Sequence, residues 1–141
     1  MALSAGVVTN GTTLRVGNGA SPEVFTAVAE MTDINQPSAV AGEIEFTHLL
    51  STAKEFKPGL SDFGSSDITF NVVVGNSLQQ QLESDVAAGT IRNYRIIYAD
   101  TVNGVGGAAF VKAFKRLPIA IDKPLQAVAT LRATGAWVRV P

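Results

Sequence analysis

The sequence predicts a mainly β domain, a β-sandwich or open barrel of about seven or eight antiparallel strands with one flanking α-helix. Three observations predict it. Gly, Asn, Ser and Pro punctuate the chain at short intervals, as turns do between strands. The stretches between them alternate or are rich in β-branched residues, the period of a pleated surface. A single segment, "NSLQQQLESDVAAGT", instead sets Leu78, Leu82 and Val86 four residues apart, which is one stripe of a helix.

The length of 141 residues suits one domain, and a chain of that size buries ~68–70% of its unfolded surface without staples. Residues 1–10 read as a flexible arm and residues 11–141 as the domain. "TTLRVG" (12–17) is a first short strand, closed by the turn "GNGASP" (17–22). "EVFTAVAEMTDI" (23–34) is apolar on parts of both faces, so it is expected to be a long central strand. "GEIEFTH" (42–48) alternates, with Ile44 and Phe46 opposite Glu43 and Glu45. The strand at 67–74 puts Ile68, Phe70, Val72 and Val74 on one side and Thr69 and Asn71 on the other. In the helix, Asn76 or Ser77 suits the amino cap and Gly89 the left-handed position after the last turn. "RNYRIIYAD" (92–100), "AAFVKAFKRL" (108–117) and "PLQAVATLRATG" (124–135) are the later strands, with "NGVGG" (103–107) as a hairpin tip.

Composition narrows the function. With no cysteine, disulfides, thiol catalysis and sulfur-ligated metals are excluded together. The net charge of −1 and the absence of a Lys/Arg run argue against strong binding of nucleic acid through charge. No basic residue precedes Arg15 and no apolar run approaches a membrane span, so neither a signal peptide nor a membrane partner is expected. Low charge with 46% apolar residues fits a surface covered by something else, because large oligomer interfaces are depleted in charge at their centres; composition alone equally allows an ordinary apolar β domain.

Candidate chemistry is sparse. His48 is the only histidine, so it lacks company for a catalytic triad or a metal cluster and reads as a surface or interface residue. Glu43 and Glu45 share a strand face in the manner of a glycosidase pair, but two outward glutamates are also what any half-solvated strand presents. "GNGASP" carries Pro22 where a dinucleotide fingerprint needs its last glycine, and a strand follows instead of the helix whose amino end would hold phosphate. Catalytic, cofactor and metal sites are accordingly expected to be none, and the chain is not expected to be an enzyme.

Residues 49–64 stand out. They show no period and contain Pro58-Gly59, yet they carry Leu49, Leu50, Phe56, Leu60 and Phe63. Connections longer than ~12–15 residues are commonly functional or disordered, and disorder favours polar residues. Full burial of each such side chain is worth ~1.5–3 kcal/mol. The segment either folds onto its own sheet or is covered by a neighbour; the residues alone leave both open.

The order of features resembles the major tail tube protein of long, non-contractile-tailed, lambda-like phages. The resemblance is carried by "GTTLRVGNGASPEVFTAVAEMTDI", by "STAKEFKPGLSDFGSSDITFNV", by the helix leading into "GTIRNYRIIYAD" and by "AFVKAFKRLPIAIDKPLQAVATLRATG". The phrase containing Phe56, Pro58, Gly59, Leu60 and Asp62 is its most specific part. The resemblance implies hexameric rings stacked into a hollow conduit through which DNA passes without sequence-specific binding. It implies assembly with tape-measure, tail terminator and tail-tip proteins, in the host cytoplasm and then in the virion tail. The expected inter-ring interface is Leu49, Leu50, Phe56, Pro58, Gly59, Leu60, Asp62 and Phe63, within an interaction loop at 49–64. The lumen candidates are Glu43, Glu45 and Gln126. No immunoglobulin-like decoration domain is expected after "WVRVP". The tube protein of type VI secretion systems is the rival within this fold, and a monomeric β-sandwich module binding a ligand or cell surface is the rival outside it, with Trp137 as its only tryptophan.

Overall fold

A computed structural model of the chain describes residue 6, residues 9–100 and residues 102–140. Nine strands and one helix occur among them. Seven strands form one antiparallel sheet in the order β2 (Phe25–Ala27), β1 (Thr13–Gly17), β7 (Ile91–Ile97), β8 (Gly104–Arg116), β9 (Gln126–Val140), β6 (Ser65–Asn71) and β3 (Met31–Ile34). The other two, β4 (Val40–Glu45) and β5 (Phe56–Asp62), pair only with each other.

The expected central strand at 23–34 is instead two edge strands. Glu30 takes a left-handed backbone (φ 55°), which an extended strand cannot contain. Its carbonyl accepts from the Asn71 N–H, while the Val28 N–H donates to the Leu14 carbonyl. The chain therefore leaves the β1 edge and arrives beside β6, at the opposite edge of the sheet, within residues 28–30. Extended chain spans at most ~3.3–3.6 Å per residue, so the two edges must lie close and the sheet must coil. The result is an open barrel, with Val28 buried at the crossing.

Alternation along the strands fills that barrel. Ile68 and Phe70 from β6, Tyr94 and Ile96 from β7, and Ala127, Ala129, Leu131 and Ala133 from β9 point inward with Leu14 and Val16. "GVGG" is part of β8, not a hairpin tip; the turn lies earlier, where the Tyr98 N–H donates to the Asn103 carbonyl. Gly107 is needed inside the strand, because a Cβ there would lie 2.5 Å from the Trp137 ring. Trp137 is buried, and its indole N–H donates to the Ala108 carbonyl at 3.0 Å.

The helix α1 (Ser77–Ala88) has the expected ends: the Asn76 side chain accepts from the Gln79 N–H, and Gly89 is left-handed. Its buried face is turned from the expected one. Gln79, Leu82 and Asp85 are buried, whereas Val86 is exposed. Gln79 is fully used there, accepting from the Val73 N–H and donating to the carbonyls of Ala29 and Asn71. Asp85 receives a two-point contact from Arg92 on β7 at 2.7 and 3.2 Å. Both polar residues thus clamp the helix to the sheet, since buried polar groups are tolerated only when paired.

Candidate interaction surface

The segment read as an unstructured loop is half strand. β5 runs antiparallel to β4, with Glu45 opposite Phe56, Ile44 opposite Lys57 and Glu43 opposite Pro58. A bulge between Ala41 and Glu43 brings Gly42 beside Gly59, whose added Cβ would lie 3.3 Å from the Gly42 carbonyl oxygen. Glycine at 59 thus permits a close strand approach at the bulge.

Among the described residues no further strand joins this hairpin. Val40, Ile44, Phe46, Leu49, Leu50, Phe56 and Leu60 are all exposed. Ile44 and Phe46 alternate as a half-buried strand does, yet both remain about half exposed, and the Lys57 ammonium lies 4.7 Å above the Phe46 ring. A lone two-stranded hairpin is marginal in water, so local ties matter. At the tip, the Phe46 N–H donates to the Glu55 carbonyl, the Glu55 N–H to the Thr47 hydroxyl, and the Ser51 hydroxyl to the Glu55 carboxylate. His48 lies 3.4 Å from the same carboxylate. These bonds close the turn so that Leu49 and Leu50 project from it into solvent.

At the base, Asp62 meets Arg132 of β9 in a two-point ion pair at 3.0 Å. The Arg132 hydrogen bond, with a second from the Gly64 N–H, holds the Asp62 carboxyl below the usual carboxylate range. Arg132 carried no signal in the sequence beyond its place on the polar face of a strand.

The expected interface residues therefore divide. Leu49, Leu50, Phe56, Pro58 and Leu60 are presented, Gly59 shapes the bulge, and Asp62 ties the hairpin down. Phe63 is half-buried and packs against the core of its own subunit. The lumen candidates also divide. Glu43 and Glu45 share a hairpin face with Phe56 and Pro58, because directly paired residues point the same way. Gln126 lies on the main sheet, donating to the Asn71 side chain at 3.1 Å. It belongs to the non-core face of β6 and β9, where the Thr130 hydroxyl also donates to Asp67.

Among the described residues there is no cluster of three or more metal-ligating acidic, histidine or cysteine side chains, and no helix is long and apolar enough to cross a membrane. Buried Trp137 offers no exposed aromatic platform. The apolar side chains on the hairpin are the exposed ones, and exposed apolar patches of this kind are found where proteins meet other surfaces.

Comparison with known proteins bears on the family and the fold. A family model described as the lambda phage tail tube protein matches residues 7–136. No curated protein matches the sequence. Among solved structures, a chain of the virion of a native gene transfer agent particle superposes with a TM-score of 0.71 at 12% identity, covering 99% of this chain and 100% of that one. A chain of the sheath/tube terminator of an extracellular contractile injection system gives 0.78 at 10% identity, covering 99% and 100%. The SPP1 tail tube gives 0.71 at 13% identity, covering 96% of this chain and 79% of that one.

Proposed function

The chain belongs to the lambda phage tail tube protein family and is a structural subunit of a virion tail tube; from that premise we propose that six copies close into a ring and that rings stack head-to-tail into a hollow conduit for DNA. The observation that carries the reading is the β4–β5 hairpin, an ordered element that forms a sheet of its own and whose apolar side chains stay exposed among the described residues. A contact that joins two different surfaces repeats without closing, so stacking continues as a filament.

In this reading Leu49, Leu50, Phe56, Pro58 and Leu60 form the stacking surface, with Gly59 and Asp62 setting its shape and attitude. Phe63 anchors the hairpin to the core and acts on stacking only through that anchorage. The edge strands β2 and β3 join neighbours around the ring, which removes unpaired sheet edges. Gln126 and the polar β6–β9 face line the lumen. Glu43 and Glu45 go with the hairpin and its contacts. DNA passes a wall that makes no base-specific bonds, and the tube meets tape-measure, terminator and tail-tip proteins during assembly in the host cytoplasm. The subunit needs no catalytic group for this role.

Electron microscopy and light scattering of the purified protein test the reading. Six-fold rings or tubes are expected on concentration or on seeding with tail initiation complexes. A particle that stays solitary under both conditions would point to a monomeric binding module.

A further inference from the structure

The dipeptide Asn-Gly occurs three times, at Asn10-Gly11, Asn18-Gly19 and Asn103-Gly104. In such a pair the backbone nitrogen of the glycine can attack the side-chain carbonyl carbon of the asparagine, because glycine has no Cβ to block the approach and accepts the backbone rotation it needs. A folded chain permits the attack only where the glycine N–H is free of acceptors and the asparagine side chain is free to swing over it. The three dipeptides differ in both respects.

At Asn18-Gly19 both groups are held. The Gly19 N–H donates to the Glu23 carboxylate at 2.9 Å. The Asn18 side-chain oxygen accepts from the Ala20 and Val24 N–H groups at 2.9 and 3.1 Å. Glu23 is itself fixed by the Asn93 side-chain amide on β7. At Asn103-Gly104 the restraint is just as tight. The Asn103 side-chain amide donates to the Asp100 carboxylate at 2.9 Å, and the Asn103 carbonyl accepts from the Tyr98 N–H. Gly104 is buried between Ile97 of β7 and Val140 of β9, so near the Ile96 carbonyl that a Cβ would collide with it.

Asn10-Gly11 is open. Both residues are exposed, at the centre of a turn closed by the Thr12 N–H donating to the Thr9 carbonyl at 3.1 Å. Gly11 takes the left-handed backbone that such a turn asks of its third residue (φ 97°). Among the described residues, neither the Asn10 side chain nor the Gly11 N–H makes a hydrogen bond.

We propose that Asn10 is a self-modification site, at which the Gly11 nitrogen displaces the side-chain amide and leaves an aspartyl or isoaspartyl residue just before β1. In the first step a bond forms between the Gly11 nitrogen and Asn10 Cγ, the bond from Cγ to the amide nitrogen breaks, and ammonia leaves with the Gly11 N–H proton. The product is a succinimide ring. Water then adds to one of the two ring carbonyls. Opening at Cγ gives aspartate, and opening at the main-chain carbonyl gives isoaspartate, whose backbone runs through Cγ with an added methylene. Water is the only co-reactant. The proposal stands independently of the tube reading.

Placement gives the change a consequence. Thr9–Thr12 form one wall of a crevice of about 400 Å³, opposite β3 and Tyr98. Asp33 lines the same crevice, and the Tyr98 hydroxyl donates to the Gln36 side chain there at 2.6 Å. Either product brings a new carboxylate into the crevice that holds Asp33. The isoaspartyl form also lengthens the turn, so the bond from Thr12 to Thr9 cannot keep its present geometry.

The test follows the native subunit and the same chain in denaturant, side by side at mildly alkaline pH, by weighing the peptides that contain each dipeptide over time. The denatured chain reports the reactivity each site has without structure. In the native subunit Asn10 should keep its denatured rate to within a few-fold, while Asn18 and Asn103 should be slowed roughly tenfold or more, since the bonds that hold them must open first. Fragmentation of the aged peptide should place the isoaspartyl linkage at residue 10, and Asn10→Gln should remove the early product without changing the other two rates. An Asn10 slowed in the native subunit as much as the other two overturns the proposal. So does a native subunit in which Asn18 or Asn103 loses its amide first.

Discussion

Leu60 and Leu82 are the same side chain in opposite circumstances, 94% and 1% exposed. Leu82 sits on a helix laid over a sheet, and its neighbours come from several elements. Leu60 sits on a hairpin with no second layer. The contrast separates two settings of apolar residues in one chain: one holds the subunit together, and the other stays exposed, where the proposed stacking contact would cover it.

Substitutions should resolve the two uses on a single scale, monomer stability. Leu82→Ala should cost ~2–5 kcal/mol, the range for emptying a buried leucine site, read as a lowered denaturation midpoint. Gln79→Ala should cost ~1–3 kcal/mol by stranding a buried polar group, because the Val73 N–H and two carbonyls lose their partner. The combined Phe56→Ala and Leu60→Ala change should move monomer stability by only about 0.5 kcal/mol, as exposed positions do, while abolishing tubes in micrographs. A large loss of stability there would erase the distinction between the two regions.

The smallest expected effect concerns the hairpin base. The Asp62 carboxyl titrates below its ordinary value of 3.8 because Arg132 and the Gly64 N–H hold its charged form. A depressed folded-state value means that this contact is intact above the ordinary carboxylate range and is lost as pH falls through the lowered value. Amide signals of residues 59–64 should therefore shift in that acid range in the native chain. The Asp62→Asn chain should lack that component, and signals of Ile96 and Ala129 should follow the same course in both.

Legibility in the sequence follows the same division. The barrel strands β6 and β9 were readable because one face of each is buried, which forces alternation at Ile68 and Phe70 and from Ala127 to Ala133. The helix ends were readable because Asn76 and Gly89 act locally. The break at Glu30 was not, since a left-handed glutamate has no sequence signature and is held by the distant Asn71. Gln79, Asp85 and Trp137 carry no local sign of burial because their partners arrive from Ala29, Arg92 and Ala108. β5 was hidden because burial imposes no period on a strand open on both faces, and Pro58-Gly59 reads as a turn. Phe63 reads like its exposed sequence neighbours, although the left-handed Gly64 marks the place where the chain turns back to the barrel.

The short passage from β2 to β3 also has a mechanical side. Consecutive strands occupy the two rims of the sheet, so residues 28–30 act as a tether between flanks that would otherwise communicate only across five intervening strands. A pull on one flank reaches the other through a few peptide units, pinned midway by Val28 in the core and Glu30 against Asn71. A subunit strained sideways would pass the load straight across that tether, and a flexing tail could bend without prising its barrels apart.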